Sequence, residues 1–219
     1  ITTVCTDYKV HTFTGPGTFC VSAGSGPLAT VSYVAVAGGG GSVHDRGGGG
    51  GAGGFREGYN PGSYTASPLA TTALPVSIQG YAVTIGAGGT ADNSPPYDPG
   101  LGGNGGPSTF STITSTGGGA GNRASPQNGN AGGSGGGAGT NPAVSPVAGT
   151  GGAGNSPSVS PPQGNPGGDS ISSPQKTGGG GGATAAGNNG GGPSSGGTGA
   201  TSSINATPTT RAGGGGGTS

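Results

Sequence analysis

Alternating hydrophobic and polar positions appear only in the first half of the chain. Val31, Tyr33 and Ala35 alternate in ATVSYVAVA, Leu74, Val76 and Ile78 in LPVSIQ, and Tyr81, Val83 and Ile85 in GYAVTIG. A two-residue period places one set of side chains on one face of an extended strand. YKVHTFT and GTFCVS flank the turn signal GPG, and STFSTITST is rich in β-branched residues, so these stretches also read as β. No stretch holds a 3.6-residue period over three turns, and no helix is predicted.

Glycine runs follow directly on several of these strands. VSYVAVA enters GGGG, AVTI enters GAGG, and STITST enters GGGAG. A turn needs one or two glycines, so four or more in line predict an extended chain that has shed its side chains. Polyproline II is that form, with three residues per turn and no internal hydrogen bonds. When such rods pack side by side, their N–H and C=O groups pair between neighbours, as buried backbone requires. The approach is then too close for Cβ atoms. Collagen is excluded, because the glycines keep no triplet phase and residues 63–79 contain none.

All ten aromatic residues lie at or before Phe110, and after Thr116 the large aliphatics are Val144, Val147, Val159, Ile171 and Ile204. The predicted organisation is a β-strand-rich region with interleaved glycine runs over residues 1–116. A polyglycine II bundle with Ser/Pro/Asn-rich loops follows over residues 117–219. The loops beginning at Asn122, Thr140, Asn155 and Asp169 recur at similar intervals, which suggests short rods packed back and forth with loops at their ends. The fold class expected is mainly β with polyglycine II and no significant α-helix.

Composition narrows the chemistry. The 219 residues include 61 Gly and 19 Pro, and six basic residues balance six acidic ones. Nothing is basic enough to follow a phosphate backbone, so no nucleic-acid partner is expected. The longest apolar run, near residues 31–37, is too short to span a bilayer, so no membrane insertion is expected. The chain contains no Met, so Ile1 reads as the start of a processed product or of a piece of a longer polypeptide. Cys5 and Cys20 form a candidate disulfide in an oxidising setting. A hairpin turning at Gly15-Pro16 would put Cys20 opposite His11, so the pair requires the first residues to fold back; otherwise the two are small buried hydrophobes.

His11 and His44 are isolated from other ligand types, and no nucleophile sits beside an oriented base. No catalysis, metal or cofactor is expected, and VHDR reads as a loop tip with Asp45 and Arg46 solvated or paired. GLGGNGG fits a phosphate-loop pattern by chance, with no helix following it. The candidate recognition positions are Tyr59, Asn60 and Tyr64 in REGYNPGSYTASP, Tyr97 and Asp98 in SPPYDPG, and Arg123, Gln127, Asn141, Ser158 and Lys176 in the later loops. Tyr with Asn, Ser and Gly gives large contact area at low entropy cost. The same tyrosines also suit covering the edge of a small core, and the later loops also suit plain solvation.

Five segments in order, KVHTFTGPGTFCVSAG, VSYVAVAGGGGS, GGGGGAGGFREG, YAVTIGAGG and GGNGGPSTFSTITSTGGGAG, resemble the glycine-rich domains of bacteriophage tail-fibre proteins, including the tip adhesins of some T-even-like phages. The likeness covers about residues 8–121, and the second half is similar only in style. It implies β strands followed by a layered polyglycine II sandwich whose distal loops recognise a host surface receptor. The function expected is a non-enzymatic tail-fibre adhesin or receptor-binding domain, on the virion or extracellular. Its partners would be a host glycan or outer-membrane protein and other fibre subunits. The two cysteines depart from the family's pattern. The alternatives are a subunit of an extracellular filament, an ice-binding bundle like those of some springtails, and a disordered Gly/Ser chain.

Overall fold

The computed structural model describes residues 1–4, 8–24, 29–92, 101–123, 127–140, 148–172 and 175–218. These residues contain β-strands and no helix, so the protein is mainly β, as the period-two patterns indicate. No helix among them is long and apolar enough to cross a membrane.

The strands are short and form several small sheets. In the first, β1 (Thr2–Val4) folds back antiparallel on β2 (Tyr8–Val10). A four-stranded sheet has the order β11-β10-β9-β3, built from β3 (Gly17–Cys20), β9 (Gly80–Thr84), β10 (Ser108–Phe110) and β11 (Ile113–Ser115). A two-stranded ladder joins β4 (Thr30–Val31) to β8 (Leu74–Pro75). A three-stranded sheet has the order β5-β6-β7, from β5 (Tyr33–Val36), β6 (Phe55–Tyr59) and β7 (Ala70–Thr72). Two late hairpins pair β12 (Ile171–Ser172) with β13 (Gln175–Lys176), and β14 (Ala200–Ser202) with β15 (Thr209–Arg211).

Three sequence expectations change here. The GPG turn does not close a hairpin between its flanks, because β3 pairs with β9 with Phe19 opposite Tyr81. That ladder buries Tyr81 and Val83 and brings Phe19 beside Phe110, an apolar surface that β2 does not provide. LPVSIQ is not one strand: β8 ends at Pro75 and Ile78 is exposed in the turn before β9. FREGY, which follows a glycine run and is unmarked by alternation, is the middle strand of its sheet.

Between the strands the glycine runs form rods joined by backbone hydrogen bonds, and partners recur every third residue. Ala37 and Gly40 donate to Gly54 and Gly51; Gly38 and Gly41 donate to Gly106 and Gly103; Gly89 and Asp92 donate to Gly39 and Ser42. These bonds measure 2.8–3.1 Å. Three neighbours engaged in rotation along one run is the geometry of a threefold extended helix, so the rods are polyglycine II. Gly137 donates to Gly49, Gly49 to Gly178, and Gly178 to Ala138, so runs 47–54, 134–140 and 177–182 bond one another in a triangle at the centre. Runs before and after residue 117 thus share one lattice. An added Cβ at Gly137 would fall on the carbonyl of Gly178, and one at Gly180 on that of Gly50, so these positions admit only glycine.

The bond directions also orient the rods. Run 37–42 is antiparallel to 47–54 and 101–106, and parallel to 86–92 and 117–121. Run 134–140 is antiparallel to 47–54, 149–155 and 177–182, and parallel to 164–168. Neighbours in sequence alternate, so their connections divide between two ends. One end carries the turn at residues 43–46 and the β12–β13 hairpin. It is also where the chain departs after Asp92, Arg123 and Thr140 and returns at Leu101, Gln127 and Ala148. The other end carries the larger sheets, the loop at 155–163 and the β14–β15 hairpin.

The conventional core lies at this β end. Phe55 is buried against Ala183 and Ala200, with Val34, Val36, Leu69 and Ala212 packed around them. On the other face of β5, Phe110 meets Phe19, Tyr33 and Tyr81 edge-on at centroid distances of 5.8, 6.0 and 6.3 Å. Burying one such ring is worth about 1.5–3 kcal/mol, so a few aromatics can hold a body that the rods cannot stabilise by apolar burial.

Candidate functional site

The loop end is organised around three charged residues. Asp45 and Arg46 both take left-handed backbone conformations, with φ of 51° and 58°. Non-glycine residues rarely adopt that region, and neighbouring structure must hold them there. Arg123 Nη1 lies 3.5 Å from Asp45 Oδ2, Arg46 Nε 3.9 Å from Asp45 Oδ1, and Arg46 Nη1 donates to Gln175 Oε1 at 2.6 Å. VHDR is therefore a turn at a rod end with its charges paired. Asn122 Oδ1, Arg123 Nε and Thr140 Oγ1, beside this turn, are buried with no hydrogen-bond partner among the described residues. Buried polar atoms are almost always satisfied, so three together mark an unusual place.

The candidate recognition residues divide between the two ends. At the loop end, Arg123 and Gln127 are 3% and 5% exposed, which corrects their reading as presented side chains. Arg123 is enclosed where its run meets Asp45, and Gln127 is enclosed where its own carbonyl accepts from Gly139. Lys176 is half-buried on β13. Tyr97, Asp98 and Asn141 lie outside the described residues, as does Cys5; Cys20 is exposed at the end of β3.

Tyr59, Asn60, Tyr64 and Ser158 lie at the β end. In Asn60-Pro61-Gly62-Ser63 the proline fixes the second position and Gly62, at φ 87°, supplies the positive angle of a type II turn. Ser63 N–H donates to Asn60 O at 3.2 Å and Gly62 N–H to the Tyr59 hydroxyl at 2.8 Å. Thr30 Oγ1 donates to Asn60 Oδ1 at 2.9 Å. Tyr59 and Tyr64 meet edge-on at 5.2 Å. These half-buried side chains close the loop on itself and on the β4–β5 segment. Ser158 is exposed in a loop held by Asn155, whose Oδ1 accepts from Val159 and Gln163 N–H.

Sequence reading missed two buried polar residues that fix this end. Gln163, fully buried, accepts Thr116 N–H at 2.8 Å and donates to Pro157 O at 3.0 Å. Glu57, 1% exposed, accepts Ser202 Oγ–H at 2.6 Å and Ser67 N–H at 2.9 Å. The lone Glu of the sequence, in a strand that follows a glycine run, was the only signal for the second.

Burial, and after it the charge of Glu57, holds the Tyr64 phenol well above the usual tyrosine range. The raised group favours folding while protonated. Its contribution is intact below about pH 10, the unfolded value, and is lost as the pH rises from there through the folded-state value. Alkaline unfolding monitored by circular dichroism should therefore begin near pH 10, and Tyr64→Phe should move that edge upward. An unmoved edge would remove Tyr64 as its cause.

Between the β5 face, the β9–β10 sheet and the β14–β15 hairpin lies a groove of about 910 Å³. Its floor includes Phe19, Tyr33, Val83 and Phe110, and Asn60, Ser63, Tyr64 and Thr65 form part of its wall. Among the described residues no cluster of three or more His, Cys, Asp or Glu is placed to hold a metal.

These features define a helix-free polyglycine-rod scaffold with charged turns at one end and an aromatic groove at the other. The sequence matches the glycine-rich domain family over residues 13–219, and the chain belongs to that family. No curated protein and no solved structure matches it.

Proposed function

We propose that this chain is a receptor-recognising domain of a bacteriophage tail fibre, non-enzymatic and displayed outside the cell. What supports the reading is a lattice stabilised by backbone pairing, with its inter-rod connections carried at its two ends and the charged turns together at one of them. Such a lattice takes no stability from loop identity, so its connections can change while the scaffold persists. A stiff site also loses less entropy on binding. The strained Asp45–Arg46 turn and the unpaired atoms of Asn122, Arg123 and Thr140 sit at that end. The partner class is a host surface receptor, either a glycan or an outer-membrane protein.

A second reading, a subunit of an extracellular filament, is favoured by the exposed glycines Gly88, Gly213 and Gly216 on outer rods. Immunogold microscopy with an antibody against this chain separates the two. Gold at the tips of virion fibres is the expected result. Gold along free filaments would reject the adhesin and turn the outer rods into assembly faces.

A further inference from the structure

Strand β5 is a free edge of its sheet, and the groove runs along it. Ala37 N–H donates to Gly54 O, one step beyond the β5–β6 ladder. Antiparallel ladders alternate between bonded and non-bonded pairs. Ala35–Arg56 and Tyr33–Gly58 are then bonded pairs, and the peptide groups of Val34 and Val36 turn away from β6. Phe55, opposite Val36, follows the same parity: its N–H leaves the ladder for Gln163 O at 2.8 Å. Val34 and Val36 both line the groove, and among the described residues β5 pairs with no second strand.

An unpaired edge is a template for another strand. We propose that the groove takes an extended acidic segment of a partner polypeptide, which adds to β5 as a fourth strand through the backbone of Val34 and Val36. Alternate side chains of an added strand would face opposite walls. On one side lie Tyr33, Phe19, Val83 and Phe110, an apolar surface; on the other lie Asn205 and Arg211. The charged or titratable lining groups beside the tyrosines are Lys9, His11 and Arg211, with no carboxylate among the described ones. Glu57 beneath is buried and commits its two carboxylate oxygens to Ser202 and Ser67. The fitting segment thus alternates apolar and acidic residues. The inference stands apart from the adhesin reading, because this groove lies at the end opposite the charged turns.

The test titrates the full chain with Ac-EVEVEVE-amide, Ac-KVKVKVK-amide and hexagalacturonate, following backbone amide shifts and exchange. The acidic peptide should bind at least about tenfold more tightly than the basic one and protect the amides of Val34 and Val36. Val34→Pro removes one donor at an edge position where proline is tolerated, and should weaken binding about tenfold or more. The Lys9→Gln/Arg211→Gln pair, remote from the ladder, should erase the preference for acid while the fold stays intact. No binding at about 1 mM, equal binding of the two peptides, unprotected Val34 and Val36, or hexagalacturonate displacing the peptide would each overturn the proposal.

Discussion

Gly180→Ala is expected to lower stability by about 3 kcal/mol or more and the melting temperature by about 10 °C, whereas Gly191→Ala leaves stability within about 0.5 kcal/mol and the melting temperature within about 2 °C of the parent. Gly180 sits in the central triangle of rods. Its N–H donates to Gly215 O at 2.8 Å, and its carbonyl accepts from Gly197 N–H at 2.8 Å. An added methyl would land on the carbonyls of Gly50 and Gly49, which are backbone rather than a side chain that can swing aside. Run 47–54 cannot retreat, because its peptides are bonded to 37–40, 116–122, 134–137 and 178–181. Gly191 has open space within 4 Å and no positive φ, so alanine there only trims the freedom of the unfolded chain. Urea unfolding and calorimetry of both variants decide the matter. An unchanged or raised stability in Gly180→Ala, matching Gly191→Ala, would mean that close backbone packing does not exclude a methyl at Gly180.

That contrast also shows what was legible in the sequence. Glycine runs emerging from strands pointed to backbone packed on backbone, because buried peptide groups without side chains around them pair with other peptide groups. The pairing partners were not legible. Gly49 and Gly88 both lie in glycine-rich runs, yet one is buried between rods and the other exposed. Strand partners were hidden for a similar reason: GPG punctuates the chain, but Phe19 finds Tyr81 only because both faces need cover. Two members of the candidate recognition set are enclosed and not presented. Arg123 and Gln127 look like surface residues by type, but each adjoins a rod end that folds over it. Tyr64 and Asn60 were singled out as loop residues, and the structure places them at the groove wall with their polar atoms already engaged. Opposite orientation of successive rods, which sends successive connections to alternate ends, follows from hydrogen-bond direction and leaves no trace in composition.

Glu57→Ala should cost about 3 kcal/mol, and Glu57→Gln about 1 kcal/mol, read by urea unfolding. The carboxylate joins three parts of the β end: its own strand β6, the loop ending at Ser67, and Ser202 of β14. It also lies beside the Tyr64 phenol, whose proton it helps to retain. Alanine leaves the Ser67 N–H and the Ser202 hydroxyl without an acceptor inside a closed site, and each orphaned donor costs about 1–3 kcal/mol. Removing a buried charge returns part of that, which keeps the total near the middle of the range. Glutamine keeps the shape, its amide oxygen accepts the Ser67 N–H and its N–H₂ donates to the Ser202 Oγ, so charge-assisted bonds become neutral ones. The two variants should also differ at the groove. Tyr64 and Thr65 on one wall and Ser203 on the other are tied by Glu57 and by the Ser203 N–H to Thr65 O bond at 2.9 Å. Loosening the first tie should speed amide exchange at Ser203 and Thr65 in Glu57→Ala well before global unfolding, and leave the distant lattice amides of Gly137 and Gly181 protected. Uniform acceleration across both regions would instead mean that the rods and the β end unfold as one unit and that Glu57 supports the whole chain.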